Sequence, residues 1–321
     1  MSINQNNNSA CRNKTAGCIT FNNSIEAIPE YPDFRDILIE DKPIFDELLK
    51  NNPPLLSAYT FTNLFAWRIP HKAKICRLNG CIIVQHNHSD KPHYLQPIGN
   101  DPVSAMINLV VLEDDVKFIS IDKPTSEKII QDTEFYVHHD LDNSDYLYLT
   151  SDLAELHGKK YDGKRNFVKR AIDKGAVYEI ITEDTIDECI AFAEEWCDER
   201  MCDIHDGLSK ERIAVREMLE NFSTLKIFGG AVRVDGKICA FTLGEQLNPN
   251  TVVVHIEKAD QNIDGMYQFV NNQFCKKQAI GYEFINREQD LGIEGLRRAK
   301  KSYHPISMVE SYKVSSRPEH I

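Results

Sequence analysis

The order of segments along the chain is duplicated. Residues 34–139 and 177–314 each read as a short strand, two helices, three strands, and then helix, strand, helix, strand. A repeat of this length constrains the fold before any side chain does, because each copy has to build its own sheet. In the first copy Arg35–Ile39 is a strand, and Pro43 sits where a first helical turn tolerates it. That helix, with Phe45, Leu48 and Leu49 inward, ends before the Asn51-Asn52-Pro53-Pro54 breaker, and a second helix covers Thr60–Trp67. Strands at 72–78 and 81–87 meet at Asn79-Gly80, a two-residue hairpin pair. A strand at 93–97, a helix at 102–112, a strand at 116–121, a helix at 124–132 and a strand at 134–139 finish the copy.

The second copy is cleaner. After a strand at Val177–Ile181, Thr185 and Glu188 have capping-box spacing, and Ile186, Cys189, Ile190, Ala193, Trp196 and Cys197 form one helical stripe. Ser209 is placed to cap the next helix, which buries Ile213 and Leu219. Strands at 226–234 and 237–245 turn at Asp235-Gly236, and Asn248-Pro249-Asn250 leads into a strand at 251–258. A helix at 265–280, a strand at 282–287, a helix at 291–303 and a strand at 307–314 complete it, with Pro305 stopping the last helix. Tyr146–Thr150 is a further strand between the copies.

The chain has 321 residues, enough for two cores, and 42% of them are hydrophobic without any apolar run of membrane-spanning length. The polar, Asn-rich start lacks the apolar core of a secretory signal, so residues 1–27 read as a disordered leader and the setting as cytoplasmic. Domains are expected at 28–140 and 141–321. Nine scattered cysteines without a CxxC pair suggest reduced core thiols. Cys197, Cys202 and His205 approach metal-ligand spacing, but five helical residues rotate the chain by about 140°, so no metal is expected there. His86, His88 and His93 read as an exposed hairpin tip.

Thirty-seven basic against 49 acidic residues give a net charge of −12, which argues against a general nucleic-acid binder. The charge is uneven: residues 175–225 hold fourteen Asp/Glu and four Lys/Arg, whereas 158–174 hold seven Lys/Arg and two Asp. A helix over Gly163–Lys174 would turn Phe167, Val168, Ala171 and Ile172 inward and show Arg165, Lys169, Arg170 and Lys174. Crowded cations repel one another unless a partner compensates, so this segment points to an anionic ligand.

The duplicated order resembles a tandem of GNAT (acyl-CoA N-acyltransferase) folds, an α+β class with mixed sheets. It looks like the Fem-type aminoacyl transferases and the soluble part of the phosphatidylglycerol lysyltransferases. Three stretches carry the likeness: Gly158–Lys169, the Gly295-Leu-Arg-Arg-Ala-Lys-Lys-Ser-Tyr-His-Pro305 segment, and Asn286-Arg287 with Asp290-Leu-Gly292 before it. The resemblance implies an aminoacyl or acyl group passed from a carrier, aminoacyl-tRNA or another phosphorylated species, to a small-molecule, peptide or lipid-headgroup amine or hydroxyl; the alternatives are a binding protein that keeps the GNAT fold without turnover and a CoA-dependent N-acyltransferase with a non-standard loop. It places the substrate cleft at Asn286, Arg287 and Asp290.

Such a reaction needs a base, an oriented acceptor and donors for an oxyanion. Alternation on the strand Thr251–Lys258 sends Val252, Val254 and Ile256 one way and Val253, His255 and Glu257 the other, so His255 or Glu257 could serve as base. In the last helix Leu296, Ala299 and Tyr303 read as core, with the Tyr303 phenol a candidate proton donor. Arg297, Lys300 and His304 read as a cationic ridge, joining Lys164, Arg165, Lys169 and Arg170 as carrier- or phosphate-binding residues. CoA-dependent relatives cradle pyrophosphate on a Gly-rich loop at a helix start. Here that loop reads Gln261-Asn-Ile-Asp264-Gly265-Met266, where Asp264 would cap the helix and repel phosphate, so no CoA or other cofactor is expected.

Overall fold

A computed structural model describes residues 24–87, 89 and 91–318. Most of the expected leader, Cys11, Cys18 and His88 lie outside these residues; Ile25–Ala27, the leader's last residues, form a short 3-10 turn. The first half runs β1 (Arg35–Asp36), α1 (Lys42–Asn51), α2 (Phe61–Ala66), α3 (Arg68–His71), β2 (Lys74–Leu78), β3 (Cys81–His86), β4 (His93–Leu95), α4 (Pro102–Glu113), β5 (Lys117–Asp122), α5 (Lys123–Asp132) and β6 (Tyr136–His139). The connection adds β7 (Asp145–Leu149), α6 (Thr150–Glu155) and α7 (Asp162–Asp173). The second half runs β8 (Val177–Ile180), α8 (Glu183–Glu199), α9 (Asp206–Glu220), α10 (Phe222–Leu225), β9 (Phe228–Val234), β10 (Lys237–Asn248), β11 (Thr251–Ala259), α11 (Met266–Lys277), β12 (Phe284–Asn286), α12 (Glu294–Lys301), β13 (Ser307–Val309) and β14 (Ser311–Ser315).

Two seven-stranded mixed sheets result, ordered β1-β2-β3-β4-β5-β14-β6 and β13-β7-β12-β11-β10-β9-β8. Both expected hairpins form. Asn79 and Gly80, like Asp235 and Gly236, have positive φ (51° and 71°, 49° and 81°), which matches the twist of the strands they join. In each sheet one neighbouring pair of strands, β4 with β5 and β11 with β12, is parallel.

The sheets are interlocked by an exchange that element order did not reveal. The single strand expected at 307–314 is two: β13 pairs with β7 in the second sheet, and after Glu310 the chain crosses so that β14 lies between β5 and β6 in the first. Conversely β7, which follows the first copy, pairs with β12 and β13 in the second sheet. A cut at residue 140 therefore separates the sheets everywhere except at residues 311–315.

Three apolar cores follow. One packs α4 and α5 on the outer face of the first sheet, through Met106, Leu109, Phe118 and Ile129. One packs α6, α7 and α11 on the outer face of the second, through Leu153, Ala171, Phe269 and Phe274. The third joins the halves: Phe45, Leu64 and Phe65 meet Trp196, Leu219, Phe241 and Ile256. Burying such side chains contributes about 1.5–3 kcal/mol each, so this shared core fixes one half against the other.

Several local expectations are corrected. α8 starts earlier than its expected cap: Thr185 Oγ1 accepts from the Thr182 N–H at 3.0 Å, while Glu188 pairs with Arg233. α9 starts at Asp206, leaving Ser209 inside its first turns. α7 buries only Val168 and Ala171, and Phe167 and Ile172 are exposed. His86 is buried and stacks on His71 with centroids 4.5 Å apart. Cys197 and Cys202 form a disulfide. The continuous helix assumed between them ends at Glu199, and left-handed Met201 (φ 49°) turns Cys202 back over Cys197. The free cysteines Cys76, Cys81, Cys189, Cys239 and Cys275 are buried thiols.

Candidate active site

β11 and β12 pair only over Thr251–Val253 with Phe284–Asn286, and then they part. What lies in that gap depends on a bulge. Leu243 of β10 pairs with Ile256 and Gly244 with Val254, which leaves His255 as an extra residue. The extra residue breaks the expected alternation. Val252 and Val254 face the outer core, Ile256 faces the shared core, and Glu257 now points to the α11 side with Val252 and Val254. His255 and Glu257, expected on one face, belong to two different clusters.

The outer cluster holds Glu257, Arg287, Tyr303, Lys164 and Lys300. Glu257 accepts from Asn271 of α11 at 2.9 Å and pairs with the Arg287 guanidinium, both side chains being 12% exposed. Burial works against the charge on Arg287, but Glu257 together with the Tyr148 and Tyr303 side chains outweighs it and raises the pKa, so the guanidinium stays charged. Its Cζ lies 4.6 Å from the Tyr303 ring centroid, and the Lys164 ammonium lies 3.7 Å from the same centroid. Two cations thus share one aromatic face system. Lys164 also donates to Ser302 Oγ at 2.7 Å. Lys300 donates to the main-chain carbonyls of Arg287 and Glu288. Burial, reinforced by Arg287, lowers both lysines to about 8. Burial pushes the Tyr303 phenol up, which keeps it protonated at neutral pH.

Chemically, this is a half-buried concentration of positive charge and a proton-bearing phenol beside one carboxylate. Lysines near pKa 8 can exist as either ammonium or amine at physiological pH, which suits proton transfer. Arg287 Nη1 is buried, with no hydrogen-bond acceptor placed on it among the described residues.

The inner cluster sits between the halves. His255 is enclosed, Nδ1 2.9 Å from Glu288 Oε1 and Nε2 3.0 Å from Glu245 Oε1. Asn286 donates to Asp145 at 2.8 Å, and Asp145 also accepts from the Ser57 amide and hydroxyl at 2.7 and 3.0 Å. Burial lifts the Asp145 carboxyl to about 6 against these hydrogen bonds.

The cationic ridge is divided. Arg297 turns in and grips Asp290 through Nε and Nη2 at 2.9 and 2.8 Å, with Asp142 on Nη2 at 2.5 Å. The Arg297 hydrogen bonds hold the Asp290 carboxyl down to about 2, and Tyr146 donates to it at 2.6 Å. So Asp290 and Arg297 lock a loop, and their groups are spent on each other. α12 buries none of its residues; Leu296, expected in the core, is 41% exposed. His304 lies edge-on to Tyr161 and within 3.3 Å of the Lys160 carbonyl. Arg165 donates to the carbonyls of Leu156 and Gly158 and pairs with Asp162, so it holds the approach loop. Lys169 is exposed, and Arg170 reaches Asp264 at 3.4 Å. Asp264 does not cap α11. Gly265 takes that position with φ 90°, and a Cβ there would run into the Phe167 carbonyl of α7. The backbone of α7 thus closes on the start of α11. Among the described residues no set of His, Cys, Asp or Glu gathers as a metal site, and no helix is long and apolar enough to cross a membrane.

Sequence reasoning named Glu257, Arg287, Lys164, Lys300 and Tyr303, and the fold brings all five together. It missed Glu245 and Glu288; a bulge one residue long leaves no sequence signal by which to pair them with His255.

Residues 53–315 match the family described as phosphatidylglycerol lysyltransferase, C-terminal. A crystal structure of a conserved protein of unknown function from Bacteroides thetaiotaomicron is 34% identical, with a TM-score of 0.81, covering 90% of this chain and 99% of that one. The C-terminal domain of a putative lysylphosphatidylglycerol synthetase from Agrobacterium fabrum has the same fold at 13% identity and TM-score 0.64, covering 88% and 93%. FemX shares the fold at 8% identity and TM-score 0.51, covering 88% and 96%. An uncharacterized protein of Mycoplasmoides gallisepticum is 24% identical over 178 residues, 54% of this chain, and the match spans little more than half, 56%, of that protein's length. The interlocked tandem GNAT-like sheets and the family match over residues 53–315 lead to one assignment: the chain belongs to the phosphatidylglycerol lysyltransferase C-terminal family.

Proposed function

We propose that the protein is an aminoacyl or acyl transferase that takes its group from a phosphorylated carrier, aminoacyl-tRNA in the first instance. The acceptor is an amine or a hydroxyl, lipid headgroups included. The observation that carries this reading is the cluster in the β11–β12 gap, where Lys164 and Arg287 lie against the Tyr303 ring and Lys300 donates to the carbonyls of Arg287 and Glu288. Positive charge held in place in a partly dehydrated site stabilises a developing oxyanion better than water does. Lys164, the half-buried amine near pKa 8, is the group suited to take the acceptor's proton, and the Tyr303 phenol is suited to return one to the leaving oxygen. Glu257 has both oxygens engaged by Asn271 and Arg287, so its role here is to hold Arg287.

The exposed cations Lys159, Lys169 and Lys174 give a phosphate backbone something to contact outside the gap. A CoA carrier is disfavoured by Asp264 and by the contact of α7 on Gly265. Thermal-shift measurements with charged tRNA, uncharged tRNA and acetyl-CoA test the assignment. Stabilisation by charged tRNA is expected, and stabilisation by acetyl-CoA alone would overturn it.

A further inference from the structure

Lys300 is held by two carbonyls on consecutive residues, Arg287 and Glu288. Glu288 has φ 55°, a left-handed conformation that a residue with a side chain adopts only when its surroundings enforce it. The restraints come from three directions. Asn286 Oδ1 accepts from the Glu288 amide at 2.8 Å, and the Tyr146 amide donates to the Glu288 carbonyl at 3.1 Å. His255 closes on Glu288 Oε1 from β11. The third restraint comes from the other half of the molecule: Asn63 Nδ2 donates to the same Oε1 at 2.8 Å across 225 positions of sequence.

Asn63 is itself well fixed. It lies on α2, whose Leu64 and Phe65 are buried in the shared core. Its amide donates to the capping Thr60 hydroxyl at 3.1 Å, and its Nδ2 also reaches the Ser57 carbonyl at 2.9 Å. Ser57 in turn grips Asp145, which accepts from Asn286. The first half therefore reaches both residues that shape the 286–288 turn.

We propose that the first half is the positioning element of the site: Asn63, acting through Glu288, fixes the Arg287–Glu288 segment whose carbonyls hold the Lys300 ammonium. Describing this as part of an active site rests on the transferase reading above, but the mechanical link does not. Asn63 and Glu288 are positioning residues, since neither belongs to the outer cluster that would meet the substrate.

The link can be read without any carrier by competitive acetylation of lysines with acetic anhydride, quantified by peptide mass spectrometry. The set is the wild type, Asn63→Leu, Asn63→Asp, which sets a carboxylate against the Glu288 carboxylate, and the double variant N63D/E288Q, in which the hydrogen bond is restored with donor and acceptor exchanged. Lys42 of α1 and Lys258 of β11, both buried, report on general loosening in each half. Losing a hydrogen bond to a charged group should raise Lys300 labelling by about tenfold or more in each single variant, with Lys42 and Lys258 unchanged. In the double variant it should fall most of the way back. Unchanged Lys300 labelling in Asn63→Leu overturns the proposal. So does an equal rise at Lys42 and Lys258, or a double variant no better than the singles. If the labelling pattern appears while the wild type transfers nothing from charged tRNA, the brace stands and the transferase reading fails.

Discussion

Glu257 and Arg287 meet across the gap that opens where β11 and β12 stop pairing, Glu257 on β11 and Arg287 directly after the end of β12. The pair converts a break in the sheet into a defined site. It keeps a charged guanidinium against the Tyr303 ring in a place where an isolated cation would be costly.

Breaking that pair should therefore cost more than the pair itself contributes. Glu257→Gln leaves Arg287 buried without its counter-charge and should destabilise the protein by about 3–5 kcal/mol. Replacing both residues with Met should cost less. Urea unfolding of the wild type and the two variants measures this, and a near-neutral Glu257→Gln would contradict the burial of the pair.

His255 gives stability a signature on the alkaline side. Burial opposes its charge, yet the Glu245 and Glu288 carboxylates outweigh burial and raise its pKa from 6.5 to about 9. A folded-state value above the unfolded one means that the contribution is complete below about 6.5 and is lost as pH rises through about 9. The melting temperature should fall across that interval in the wild type and change less in His255→Gln. Parallel curves for the two proteins would remove His255 as the cause.

The strand exchange predicts that the last residues support the first half. Ending the chain at Glu310 removes β14, the strand between β5 and β6. Hydrogen exchange in residues 117–139 should then accelerate sharply, while β9, β10 and β11 keep their protection. Unchanged protection at 117–139 would mean that β14 is dispensable there.

If carrier phosphates lie along α7, Lys169→Glu should weaken tRNA binding and reduce the slope of log affinity against log salt by about one. Lys169 is the better probe than Arg165, whose guanidinium also holds the 156–158 loop. An unaltered slope would take α7 out of the carrier's path.

The two hairpins and most elements were legible because Asn-Gly and Asp-Gly turns and apolar periodicity act locally. Glu310 was not legible: 307–314 has uniform strand character, and only the competing sheets decide that the chain changes partners midway. The disulfide was missed because its geometry depends on Met201 leaving the helix, which no residue type there announces. In the site, Arg287 and Lys300 could be named from the resemblance. The separation of His255 from Glu257 could not, since one bulged residue inverts every later side chain on the strand. Arg297 looked like a phosphate ligand because helical spacing shows which residues share a face but not which carboxylate waits opposite.

The most direct measurement is the transfer of a radiolabelled aminoacyl group from charged tRNA to an added amine or hydroxyl acceptor, with wild type and Lys164→Met compared at equal tRNA occupancy. The account predicts acceptor-dependent release of free tRNA by the wild type and a rate lower by about a hundredfold in Lys164→Met, the scale expected when a transition-state contact is lost. Equal rates in the two proteins, or release that ignores the acceptor, would contradict it.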